Sequence, residues 1–233
     1  MSGPTTIVFA LYPGVTHLDF TWPHQVLSRL PGAVTLVASA QGGQIEADGL
    51  RFAGLEILAA IPHCDVLCVP GGFGCIEAMQ DAAFMAEIRR LASGARYVTS
   101  VCTGSLILAA AGLLVGKRAA CHWAWRDLLV PFGAIPDAAR VVRDGNLLTG
   151  GGVTAGIDFA LTLAAELSSR LVAQAIQLNL EYAPAPPFDA GRPETAPPEV
   201  LALVQKRMEA ARTARLAAVM AVAGGAGSPG QSA

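Results

Sequence analysis

The residues of this chain best suited to chemistry gather around Cys102, in Thr99-Ser100-Val101-Cys102-Thr103-Gly104-Ser105. A β-branched apolar run ends at the cysteine and Ser/Leu/Ala-rich sequence without proline follows it, which predicts a buried strand turning into a helix. Thr103 and Gly104 are small enough for that turn to be sharp, the device that presents a nucleophile at a strand-to-helix elbow. Unpaired N–H groups at the helix start would favour the thiolate, the attacking form of the side chain, and lower its pKa. A second reading stays open on these residues alone: free cysteines are commonly core residues with no chemistry.

The groups that could assist the thiol lie far away in sequence. Asp19, in Gly14-Val15-Thr16-His17-Leu18-Asp19, follows the first predicted strand and could move protons to and from a thiol. Equally, Thr16 with Asp19 three residues on approximates a capping box, which would make the carboxyl structural. Gly71-Gly72 also follows a strand, and its pliant backbone could turn N–H groups toward an anionic intermediate or simply reverse the chain. His122, in Cys121-His122-Trp123-Ala124-Trp125, could orient a thiolate or sit as a satisfied rim residue, and the same two readings apply to His17 and His24. His63, Cys64, Cys68 and Cys75 lack the tight paired spacing of zinc ligands, so no metal is expected. Gly150-x-Gly152-x-x-Ala155 comes late for a dinucleotide loop, and Gly112 to Arg118 is one residue short of a phosphate loop.

Only a fold can bring residues 19, 71 and 102 together, and the pattern of elements supplies one. Continuous apolar runs at 5–11, 34–38, 66–69 and 96–102 read as strands covered on both faces. Helical sequence separates them at about 16–30 and 73–95, the latter broken near Asp81, giving the βαβ rhythm of a doubly wound α/β domain. Residues 44–57 read as a hairpin or irregular strand pair, 118–122 as a strand, and 125–130 as a short helix. Residues 141–149 read as a hairpin about Asp144-Gly145, and 154–168 and 172–182 as helices. In such a sheet the turns after Val69 and Val101 share the C-terminal edge, where sites collect. Residues 1–183 are expected as the α/β domain, 184–222 as an extended proline-containing arm and a C-terminal amphipathic helix packed on it, and 223–233 as a disordered tail.

Composition narrows the class. The chain has 233 residues, 53% hydrophobic and only 15% charged, with 16 Lys and Arg against 18 Asp and Glu. That balance offers no basic footprint for nucleic acid and no polybasic membrane patch, leaving a small molecule as the expected partner. The uncharged stretch between Arg96 and Lys117 could pass for a membrane span, but its polar residues and strand-like first half favour a buried strand and helix. No charged leader opens the chain and its five cysteines suggest no disulfide framework, so a cytoplasmic protein is expected.

Taken together, Val69-Pro70-Gly71-Gly72, Ser100-Val101-Cys102-Thr103-Gly104 and Ala109 to Lys117 resemble the ThiJ/PfpI superfamily, whose members share a flavodoxin-like three-layer sandwich with a mostly parallel central sheet and a cysteine at its nucleophile elbow. Within it, Leu18-Asp19, Tyr97 to Leu106, His122-Trp123-Ala124, Arg140 to Ala160 and Glu181 to Phe188 are most similar to the bacterial isocyanide hydratases. The resemblance implies hydration of an isocyanide to an N-substituted formamide by a homodimer without a cofactor. It makes Cys102 the nucleophile of a thioimidate intermediate and Asp19 the general acid and base. Thr103 would position one or the other, and Gly71, Gly72 and Val153 would hold substrate or oxyanion. Two features separate the chain from other members. Amidase-like relatives carry His after the cysteine where this chain has Thr103, and the residues from Val200 onward are too few and too weakly basic for the helix-turn-helix domain of related regulators. The alternative is a cysteine-based redox or stress sensor, or a protective protein, which needs only an oxidisable thiol.

Overall fold

The computed structural model of the chain describes residues 4–226. In chain order its strands and helices are β1 (Thr5–Leu11), α1 (His17–Leu27), β2 (Ala33–Ser39), β3 (Gly43–Ala47), β4 (Leu50–Ile57), β5 (Val66–Val69), α2 (Cys75–Gln80), α3 (Ala82–Gly94), β6 (Tyr97–Val101), α4 (Gly104–Ala110), β7 (Arg118–Ala120), β8 (Ile135–Asp137), β9 (Val141–Asp144), β10 (Leu147–Gly150), α5 (Ala155–Leu167), α6 (Arg170–Asn179) and α7 (Pro198–Ala226). An eight-stranded sheet runs in the order β3-β4-β2-β1-β5-β6-β10-β9, and β7 pairs with β8 apart from it. The six inner strands are parallel, while β3 and β9 run antiparallel at the edges.

The apolar runs explain this mostly parallel sheet with flanking helices. Every residue of β5 and β6 is buried, as are Ile7 to Leu11 of β1, so these strands need cover on both faces. α1 packs on α5 and α5 on α6, while α2 packs on α4 and α7. Pro23 lies inside α1, and Gly156 admits it: a Cβ on Gly156 would stand 3.2 Å from the proline ring. The uncharged stretch divides into β6 and α4, and among the described residues no helix is long and apolar enough to cross a membrane.

Several boundaries differ from the sequence reading for local reasons. The helical stretch 73–95 starts two residues late, at Cys75, and breaks at Asp81 as the sequence predicts; the Asp81 side chain caps α3 by accepting the N–H groups of Ala83 and Phe84 at 3.0 and 3.1 Å. The hairpin of β9 and β10 pairs Asp144 with Leu147, so its two-residue loop is Gly145-Asn146, with Gly145 at φ +65°. β7 stops at Ala120 because its ladder with the short β8 ends there. The segment near Trp125 forms 3-10 turns over Arg126–Phe132, where Pro131 removes a helical N–H. α7 continues past the expected boundary at residue 222 to Ala226; the rest of the expected tail, 227–233, lies outside the described residues.

The strand order decides where a site can form. β1, β5, β6 and β10 are successive parallel neighbours, so the turns that follow them, at 12–16, 70–74, 102–103 and 151–154, stand side by side on one edge.

Candidate active site

Cys102 occupies the turn between β6 and α4 with φ +59°, a left-handed conformation that costs a non-glycine residue about 1–3 kcal/mol. Its N–H donates to the carbonyls of Gly151 at 2.8 Å and Gly150 at 3.1 Å, which tie the strained residue to the end of β10. A Cβ at position 104 would collide with the Val69 carbonyl, so glycine lets α4 begin hard against β5.

Asp19 comes from the first turn of α1 and is 1% exposed. Its Oδ2 accepts the Gly71 N–H at 3.0 Å, while Oδ1 accepts nothing. The Thr16 side chain makes no capping bond, so the capping-box account of Asp19 does not hold; instead the Thr16 N–H donates to the Gly71 carbonyl at 2.9 Å and ties α1 to the glycine turn. The Gly72 N–H donates to Thr103 Oγ1 at 2.9 Å. Both glycine N–H groups are therefore committed to positioning Asp19 and Thr103 rather than open to an oxyanion. Close approach demands the glycine, because a Cβ on Gly71 would lie 2.5 Å from the Thr103 nitrogen and 2.8 Å from Asp19 Oδ2.

Burial dominates the electrostatics. It pushes the Asp19 carboxyl up to about 7, against the Gly71 N–H and the Cys102 thiol, which both favour the carboxylate. Burial and then the charge of Asp19 hold the Cys102 thiol well above its ordinary value, and the Thr103 N–H opposes them only in part. The lowered thiol pKa expected from the helix start is thus reversed: α4 is seven residues long, and desolvation of a cysteine only 6% exposed outweighs it. At neutral pH the sulfur keeps its proton while the neighbouring carboxyl titrates. A carboxylate so placed can take that proton and return it elsewhere.

Cys102 and Thr103 open onto a cavity of about 110 Å³. Val153, after β10, lines it together with Gly72, Thr16, Phe73 and Trp125, and α7 adds Met208 and Arg215. His122 lines it too, with Nδ1 accepting the Ala124 N–H at 3.3 Å; burial, and secondarily Arg215, push its pKa down to about 4, so the ring is neutral. His17 stacks against Phe52 and His24 pairs with Thr35, and neither lines this cavity. His63 is exposed whereas Cys64, Cys68 and Cys75 are buried. A larger hollow of about 650 Å³ lies between Tyr12, Ser39 and Phe84, but neither Cys102 nor Asp19 lines it. Sequence reasoning missed Arg215. Its signal was a charge in the stripe Met208, Ala211, Arg215, Val219, Val222, whose other members are apolar and pack on the core.

Comparison with known proteins places this geometry in context. Residues 5–166 match the model of the DJ-1/PfpI family. Isonitrile hydratase of Pseudomonas putida is 55% identical over 202 residues, covering 86% of this chain and 89% of the relative. Protein dj-1beta of Drosophila melanogaster is 29% identical, over 77% of this chain and 97% of its own length. Among solved structures, a ThiJ/PfpI family protein from Pseudomonas syringae superposes with a TM-score of 0.89 at 40% identity, covering 95% of this chain and 91% of that one.

Proposed function

The chain belongs to the DJ-1/PfpI family, and from that premise we propose that it is an isocyanide hydratase, converting R–N≡C and water to R–NH–CHO. The observation that carries the reading is the pairing of a thiol at the sheet-edge turn with a buried carboxyl beside it whose pKa burial raises to about 7. In the first step Asp19 takes the thiol proton and delivers it to the terminal isocyanide carbon as sulfur attacks that carbon, forming the thioimidate R–N=CH–S–Cys102. In the second, Asp19 accepts a proton from water as the hydroxyl adds to the same carbon and passes that proton to nitrogen, giving R–NH–CH(OH)–S–Cys102. Collapse of the adduct breaks the C–S bond as the hydroxyl proton passes through Asp19 to sulfur, releasing the formamide and restoring the thiol. Covalent catalysis divides one hard addition into two easier ones. Thr103 is a positioning residue: its hydroxyl holds the Gly71-Gly72 turn that in turn fixes Asp19. Val153 bounds the substrate space.

This reading includes a homodimer and calls for no cofactor; a sedimentation mass of one chain would exclude the dimer. A redox sensor is less well supported, because sensor thiols combine low pKa with exposure and Cys102 has neither. The decisive test is formamide production from a simple alkyl isocyanide by wild type, Cys102→Ala and Asp19→Asn. Turnover by wild type alone supports the mechanism; turnover by Cys102→Ala refutes the covalent step, and an inert wild type refutes the hydratase.

A further inference from the structure

Arg215 is a buried charge at this cavity that the hydration steps leave unused. Its side chain is 4% exposed, and among the described residues no carboxylate lies within ion-pair distance of it. Its contacts are weak substitutes: Nη2 stands 3.5 Å from the Phe73 carbonyl, the limit of a hydrogen bond, and the guanidinium lies 4.1 Å from the centroid of the Trp125 ring. A guanidinium taken out of water without a counter-charge is costly, and stacking on an aromatic face offsets only part of that. Arg215 lines the same cavity as Cys102, where among the described residues it is the one cation, since His122 is neutral. The walls between are apolar, from Phe73, Trp125, Val153 and Met208.

We propose that Arg215 receives a carboxylate of the substrate, and that the preferred substrates are short isocyano acids whose terminal carbon meets Cys102 while their carboxylate meets the guanidinium. The inference rests on the hydratase reading for its reactive end and on Arg215 for its anionic end. The planar fork of arginine suits a carboxylate bidentately, and such charge-assisted bonds are about twice as strong as neutral ones. Both groups line one small hollow of about 110 Å³, which suits a short carbon chain between them.

Two measurements test this on the full-length protein. The first compares kcat/KM for isocyanoacetate with that for its methyl ester, in wild type, Arg215→Lys and Arg215→Met. Wild type should prefer the acid by about tenfold or more, and the ratio should fall toward one in Arg215→Met, with Arg215→Lys between them. The second is calorimetric binding of N-formylglycine and its methyl ester, which needs no turnover and should show the same order. A wild type that binds or converts acid and ester equally overturns the proposal, as does a preference unchanged in Arg215→Met. Failure to hydrate any isocyanide while N-formylglycine still binds through Arg215 would sink the hydratase and leave the carboxylate subsite standing.

Discussion

Asp19 shows how a site can be maintained against stability. An unfolded chain releases its proton near the ordinary aspartate value of 3.8, whereas the folded protein holds it to about 7. Between those values the folded state carries a proton the unfolded state has lost, so this group's contribution makes stability fall as pH rises from about 4 to 7 and level off above. The full shift corresponds to about 4 kcal/mol. Asp19→Asn keeps the acceptor for the Gly71 N–H and removes the buried charge, so it should melt higher than wild type at pH 8, with the gap closing by pH 5. Thermal melts at the two pH values decide the matter, and an equal or lower melting temperature at pH 8 would count against it. The same titration sets catalysis in the opposite direction. Because the carboxylate must be ionised to take the thiol proton, kcat/KM should rise with pH through about 7, where the Cys102 and Asp19 pair titrates as a unit. A profile flat from pH 5 to 8 would remove Asp19 as the base.

At the scale of elements, the site is a junction of turns, and Gly71 is its tightest point. Gly71→Ala would push a methyl into the Thr103 nitrogen and the Asp19 carboxyl together. We expect a loss of about 1–3 kcal/mol of stability and about a hundredfold loss of turnover from displaced Asp19, read by denaturant melts and formamide assay; near-wild-type activity would contradict the close approach. This junction was partly legible beforehand. The buried runs of β1, β5 and β6 and the glycines after them mark strands and sharp turns, and a parallel order puts those turns on one edge. Asp19 and Cys102 could be named from residue types and the family pattern. The destinations of the Gly71 and Gly72 N–H groups could not, because hydrogen-bond direction depends on backbone orientation that residue types leave free. Nor could the raised thiol pKa, since its main cause is burial by elements distant in sequence. Arg215 was hidden for the same reason: the docking of α7 is a tertiary fact, and an arginine on a long helix ordinarily faces water.

For the whole molecule, α7 is a wall of the Cys102 cavity as much as a covering helix. Arg212 binds the Ala124 carbonyl at 2.7 Å and pairs with Asp127, while Val219 is wholly buried, so the helix is fastened on both sides of Arg215. A charge in that seam should release it. Val219→Asp is expected to speed alkylation of Cys102 by iodoacetamide severalfold and to abolish any preference for acidic isocyanides, while far-UV circular dichroism keeps the signature of the central sheet. Unchanged alkylation would show that the cavity does not depend on α7.

The position of that wall in the chain also orders events during synthesis. Arg215 emerges from the ribosome more than a hundred residues after Cys102. The segments that bear Cys102 and Asp19 at the sheet edge are thus complete while α7 is still being made. A nascent chain at that stage would lack the Met208 and Arg215 wall of the Cys102 cavity. Arrival of α7 adds that wall and the Arg215 cation in the same motion, so cover for the cysteine and the proposed selection among substrates would be acquired together.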